Sequence, residues 1–283
     1  AKIRPMPCLF ACAFVANAAS FVLPISNPAN LVVFKTVPTI GPWIAAFALP
    51  SLIAIAGTYV LLRYAFRAEL NGQFQPRADE SSPVLSRSGR ASLIAVAASA
   101  LLIAVAASLG RSIGLSAFLL AVASVLVVAA IDRGTPRLII TGTPWSIIPL
   151  VCGLFVIVQA LDRTGVLELA RRFFRHAGEL QHIPANLLTG FVVMLAGNIL
   201  NNLPVGVLAR YSLQGYGIDP HLSAPVLVGV DLGPNLSLTG SLATILWLMM
   251  LRRDGIEVSP YRFLRIGALV TIPTLALGLI SVR

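Results

Sequence analysis

Three apolar stretches of this 283-residue sequence are interrupted by uncharged polar residues, and one interruption carries a carboxylate. They read Ser-Asn-Pro-Ala-Asn (26–30), Gly-Asn-Ile-Leu-Asn-Asn-Leu-Pro (197–204) and Asp-Leu-Gly-Pro-Asn-Leu-Ser-Leu-Thr-Gly (231–240). Glycine and proline free backbone amides and carbonyls from helical bonding. Asparagine, serine and threonine add neutral donors and acceptors. Ser26, Asn27, Asn30, Asn198, Asn201, Asn202, Asn235 and Thr239 are therefore candidates to bind a small polyhydroxy or carboxylate solute or to hold the broken backbone.

Asp231 stands apart. Of eleven carboxylates, the other ten fall in loops, at the ends of apolar runs or on an amphipathic segment. Asp231 instead follows Val226-Leu227-Val228-Gly229-Val230 and precedes further apolar sequence. An aspartate at the centre of a membrane helix costs about 2.5–3.5 kcal/mol to insert, so its presence suggests proton relay or ion coordination. The competing role is structural, as partner of a backbone N–H at a helix break.

These residues need a membrane around them. Apolar residues make up 57% of the chain and charged residues 11%, with a mean hydropathy of +0.86. A soluble domain carries about 25% charge. The apolar runs of roughly 20 residues match the length a helix needs to cross a bilayer core. Irregular backbone survives at that depth only where protein or a watery cavity satisfies it. Prolines commonly kink membrane helices and asparagines commonly glue them together. Three such gaps in one chain instead match the discontinuous helices of inverted-repeat transporters. The expected fold class is thus all-α, a polytopic transmembrane bundle with discontinuous helices and a re-entrant hairpin.

The runs divide the chain at one polar linker. Residues 1–66 hold a broken helix (8–34) and a helix (42–66), followed by a cytoplasmic linker at 67–91. Residues 92–283 hold helices at 92–109, 113–131 and 145–161, then a surface helix at 162–183. An interrupted run (184–210), which the family resemblance below implies is a re-entrant hairpin, a broken helix (223–251) and a last helix (263–280) complete the chain. In the surface segment Val166, Leu169, Ala170 and Phe173 fall at helical spacing, with Arg171, Arg172 and Arg175 elsewhere on the wheel. That pattern describes an amphipathic helix lying on a membrane.

The net charge of +10 does not indicate nucleic acid. The arginines sit between apolar runs, where cytoplasmic loops and anionic lipid headgroups attract them. Arginines at 63, 67, 77, 87 and 90 place the linker in the cytoplasm, and alternation puts the surface helix outside, against the positive-inside rule. Cys8, Cys12 and Cys152 show neither zinc spacing nor a disulfide framework. No metal or cofactor is expected. His176, His182 and His221 fall at the membrane surface or in loops, which disfavours an intramembrane enzyme. The sequence begins at Ala1 with neither methionine nor leader, and reads as a piece of a longer chain.

Three stretches carry a family resemblance. Asn17-Ala-Ala-Ser-Phe-Val-Leu-Pro-Ile-Ser-Asn-Pro-Ala-Asn-Leu-Val-Val33 resembles the first-half broken helix of arsenite/antimonite efflux permeases, within the ion transporter superfamily. Val230-Asp-Leu-Gly-Pro-Asn-Leu-Ser-Leu-Thr-Gly-Ser-Leu-Ala-Thr-Ile-Leu-Trp247 resembles the second-half one, and Gly197 to Pro204 the tip of the second re-entrant hairpin. The resemblance covers nearly the whole sequence and implies three of four site elements, with the first hairpin supplied by an earlier block. It implies a secondary transporter in the cytoplasmic inner membrane that extrudes arsenite or antimonite in exchange for protons. Asp231 would be the proton carrier. An arsenite-stimulated ATPase and a second copy of the chain are the expected protein partners, alongside membrane lipids. The alternatives are another superfamily solute (a dicarboxylate, silicate or other metalloid) and a passive channel. Cys8 and Cys12, one helical turn apart, offer thiophilic arsenic a rival site, although tight thiolate bonds would trap a substrate that must be released.

Overall fold

A computed structural model describes residues 5–34, 38–70, 85–132, 135–162, 164–214 and 220–282. Among them there are helices and turns, and no strand. The chain divides into two compact units, one of residues 1–73 with 152–283, the other of residues 74–151.

The first unit opens with α1 (Met6–Ala18), α2 (Pro28–Val33), α3 (Ile40–Ala65) and the single turn α4 (Arg67–Leu70). The second contains α5 (Arg87–Ser108), α6 (Ile113–Ile131) and α7 (Thr135–Gly142). Helix α8 (Ile147–Asp162) begins in the second unit and ends in the first. The first unit then continues with α9 (Val166–Gly178), α10 (His182–Leu200), α11 (Asn202–Leu213), α12 (Ser223–Leu232), α13 (Leu242–Arg253) and α14 (Pro260–Ser281). One 3-10 turn precedes α12 (Pro220–Leu222) and another follows it (Gly233–Leu236).

Five of these helices, α3, α5, α6, α10 and α14, are long and apolar enough to cross a membrane. Helix α3, with 26 residues, is about 39 Å long at 1.5 Å per residue. Several helices start at serine caps: Ser86, Ser112, Ser241 and Ser259 each accept a bond from a first-turn amide. Such caps satisfy donors that the helix itself leaves open.

In the second unit α5 and α6 pack along each other, with Ser99 and Ser124 hydroxyls 3.3 Å apart. Much of the remaining surface of both helices is exposed. Leu93, Ile94, Val96 and Leu101 of α5, with Phe118, Leu119 and Leu126 of α6, are all exposed. A continuous apolar face of this size suits lipid rather than water.

The first unit has a dense centre. Helix α14 lies along α3, and α10 along α12. The second pairing depends on bare backbone: a Cβ on Gly229 would stand 2.5 Å from the Gly190 carbonyl oxygen. Small residues let membrane helices approach this closely, so van der Waals contact and backbone dipoles can hold them. Towards one end of α1, the rings of Phe10, Phe14 and Phe263 pack with centroids 5.2–5.6 Å apart, and Phe66 and Trp247 close the cluster. These rings join α1 and α3 to α13 and α14, and so set where the broken segments meet.

Candidate functional site

The first break is not where its polar residues stand. Helix α1 ends at Ala18 and α2 begins at Pro28, so the non-helical stretch is 19–27 rather than 26–30. Proline explains the shift. It is welcome at the first helical position, where no N–H is needed. Asn27 caps the new helix by accepting from Ala29 N at 3.0 Å. The uncoiled residues include apolar Phe21, Val22 and Leu23. Their carbonyls are taken up from outside: Trp43 Nε1 donates to Phe21 O at 3.0 Å, and Asn30 Nδ2 to Ser20 O at 2.8 Å and Leu23 O at 3.1 Å.

The second break is a single residue. Helix α10 continues through Leu200 and α11 starts at Asn202, leaving Asn201 alone at the hairpin tip. Asn201 has φ 77° and ψ 150°, a region that only glycine enters freely and that costs other residues about 1–3 kcal/mol. Its side chain holds it there. Nδ2 donates to Thr239 O at 2.9 Å, and Oδ1 accepts from Leu203 N at 3.4 Å.

The third break follows Leu232 as the 3-10 turn Gly233–Leu236, then extended Ser237 and a further turn up to the cap Ser241. Asn198 Nδ2 donates to Gly233 O at 2.8 Å, and Ser237 Oγ donates to Asn198 Oδ1 at 2.6 Å. The amide of Asn202 donates to Gly240 O at 2.9 Å. A Cβ on Gly267 of α14 would collide with the Asn235 carbonyl, so helix backbone is pressed directly on this turn.

All three breaks meet. Asn27 Nδ2 donates to Asp231 Oδ1 at 2.8 Å, and Asn17 Nδ2 to Asn235 Oδ1 at 2.8 Å. Asn235 returns a bond to Phe14 O at 3.3 Å. The first break and the end of α1 thus touch the end of α12 and the third break through two side-chain pairs, and the hairpin tip and its flanks touch the third break through Asn198, Asn201 and Asn202. Helix α2 also packs on α11, which closes the triangle.

Burial sharpens the picture. Asp231 and Asn30 are fully buried, and Asn17, Asn201, Asn202 and Asn235 nearly so. Among the described residues, Asp231 Oδ2, Asn30 Oδ1, Asn202 Oδ1 and Thr244 Oγ1 are buried without a hydrogen-bond partner. Buried polar atoms are nearly always paired, so these four, on or just beyond the broken segments, are open to a solute, a proton or water. Asn198, Asn201 and Asn235 spend their amides on the protein itself. Ser26 lies at the exposed rim, where its hydroxyl accepts from Leu23 N at 3.3 Å. Thr239 is also exposed, and its backbone carbonyl makes the contact.

Sequence reasoning singled out neither Asn17 nor Ser237 and Thr244 as site residues. Asn17 had the same signal as Asp231, a polar side chain deep in an apolar run. The cysteines stand elsewhere. Cys8 and Cys12 are exposed on α1, and neither hydrogen-bonds into this cluster among the described residues.

Broken helices gathered around a buried carboxylate, with five membrane-length helices among the described residues, define a polytopic helical membrane protein with a polar centre. A family model described as arsenical pump membrane protein matches residues 2–283, and the chain belongs to that family. It is 26% identical over 282 residues to the arsenical pump membrane protein of Yersinia enterocolitica, covering 94% of this chain and 64% of that one. The Escherichia coli K12 arsenical pump membrane protein is 25% identical over the same coverage. An uncharacterized transporter of Mycobacterium tuberculosis is 30% identical over 170 residues, 57% of this chain and 39% of its own. The chain thus spans about two thirds, 64%, of the length of the arsenical pump relatives. No solved structure matches it.

Proposed function

We propose that this chain supplies three broken elements of a secondary transporter that extrudes arsenite or antimonite across the cytoplasmic membrane in exchange for protons. The observation that carries this reading is the buried carboxylate of Asp231, held on one oxygen by Asn27 and bare on the other.

Arsenite near neutral pH is an uncharged trihydroxide. Membrane potential does no work on a neutral solute, so extrusion requires a charge moving inward. One proton contributes about 2.3 kcal/mol per 100 mV, roughly a 45-fold gradient at 1.4 kcal/mol per decade. Asp231 is the group that carries it, with the proton on Oδ2. The carboxamide oxygens of Asn30 and Asn202 accept hydrogen bonds from substrate hydroxyls. Asn27 couples the two events, because it bridges Asp231 and the first turn of α2. Asn198 and Asn201 keep the broken backbone from collapsing. The interruptions contain no Lys, Arg or His. A dicarboxylate would therefore meet an acid and no cation, which favours a neutral solute. An arsenite-stimulated ATPase, as the family resemblance implies, would add a second energy source to the same path.

The test is uptake by everted vesicles with an acidic lumen. The wild type accumulates arsenite against its gradient, while Asp231→Asn is inserted normally and does not accumulate it. Gradient-driven accumulation that persists in Asp231→Asn rejects the proton role. Equilibration without accumulation in the wild type means a channel.

A further inference from the structure

A second site lies away from the breaks, where α8, α9 and α11 enclose a cleft of about 630 Å³. That volume falls within the range of about 300–1,000 Å³ typical of small-ligand sites. Its lining has two characters. Phe155, Leu167 and Val207 make an apolar part, while Gln159, Arg171 and Tyr211 bring an amide, a guanidinium and a phenol. We propose that this cleft binds an anionic phospholipid, with the phosphate on Arg171 and an acyl chain along the apolar part.

Arg171 makes the case. Its Nε is buried and has no hydrogen-bond partner among the described residues. Its Nη1 lies 3.9 Å from Glu168, which itself stands only 3.4 Å from Arg172. One carboxylate therefore faces two guanidiniums, and the inner N–H is left without an acceptor. A buried donor in that position is costly unless something bonds to it. Phosphate fits a guanidinium by two parallel N–H···O bonds.

Depth and charge point to lipid as the source of that phosphate. Tyr211 and Arg210 end α11, and aromatic and basic residues mark the headgroup level of membrane proteins. Arg172 and Arg175 are exposed on α9 beside Arg171 and add positive potential that draws anionic lipid. A free phosphate ion would have no use for Phe155, Leu167 and Val207. The neighbouring groove of α9 against α10 and α11, about 320 Å³ and lined by Val166, Phe173 and Val193 among others, is apolar throughout. It lacks the polar half that an amphiphile requires.

The experiment is lipid titration of the purified full chain, read as melting temperature and as lipid adducts in native mass spectrometry. Phosphatidylglycerol is compared with phosphatidylcholine and with inorganic phosphate. Phosphatidylglycerol is expected to raise the melting temperature and form a discrete adduct. Arg171→Gln weakens that response about tenfold, the size of one lost charge-assisted contact. Arg171→Lys keeps the charge without Nε and also weakens it, which covers the case in which the glutamine variant fails to fold. Arg175→Gln removes an exposed charge outside the cleft and weakens the response less than Arg171→Gln does. Equal responses in Arg171→Lys and wild type overturn the site, and so does an equal effect of phosphatidylcholine. A shift produced by inorganic phosphate alone overturns the lipid assignment. Arsenite movement plays no part in this readout, so its outcome is separate from that of the transport proposal.

Discussion

Gly229→Ala tests whether backbone contact between α10 and α12 positions the carboxylate. The added methyl would stand 2.5 Å from Gly190 O, 3.1 Å from Gly190 Cα and 3.2 Å from Gly190 C. Real Cβ contacts essentially never fall under 3.0 Å, so the helices must part by at least about 0.5 Å, and by more to reach a relaxed carbon contact. No rotamer change relieves this, because the obstacle is backbone. Overpacking of this kind costs about 1–3 kcal/mol. Asp231 is two residues further along α12, and its bond to Asn27 is only 2.8 Å. A displacement of that size stretches the bond towards the limit of hydrogen bonding. The expected result is a melting midpoint several degrees lower in detergent, together with loss of arsenite accumulation in everted vesicles. Gly278→Ala is the control, since its nearest neighbour would be Val228 Cγ1 at 3.7 Å, an ordinary contact, and it should melt within a degree or so of wild type. If Gly229→Ala melts and transports like Gly278→Ala, close packing of α10 on α12 does not set the site.

Two further substitutions address the joints between breaks. Asn17→Ala leaves Asn235 Oδ1 buried without its donor, which should cost about 1–3 kcal/mol; Asn17→Asp, which sets an acceptor against an acceptor, should be worse, and chemical denaturation in detergent ranks them. An Asn17→Ala protein as stable as wild type would mean that the pair adds nothing. At the hairpin tip, Asn201→Gly relieves the positive φ but loses the bond to Thr239 O, so it should fold with a small change in stability. Asn201→Val should lose about 1–3 kcal/mol more, because a β-branched residue cannot hold that backbone without strain. Equal expression and melting of the two variants would remove the strain argument.

Much of this molecule is written locally. Runs of about 20 apolar residues with few charges require helices in lipid, because a bilayer leaves no other partner for backbone amides. Glycine, proline and asparagine within those runs mark backbone that helical bonding cannot satisfy. Asp231, alone among apolar neighbours, advertises itself for the same reason. These are statements about neighbours in sequence, so sequence suffices for them.

Position and pairing are different matters. The first gap opens at 19–27 because Pro28 starts a helix instead of ending one, and because Trp43 and Asn30 are in place to receive the freed carbonyls. Only the fold supplies Trp43 there. Asn27 reaches Asp231 across 204 positions, and Asn17 reaches Asn235 across 218. No local pattern reveals which of several asparagines will meet the acid and which will hold up a loop. Sequence decided that polar groups would be stranded in the membrane; the packing of α10, α12 and α14 on bare glycine backbone decided which of them pair and which remain open. The reason is that hydrogen bonds act over about 3 Å, a separation that chain order does not record.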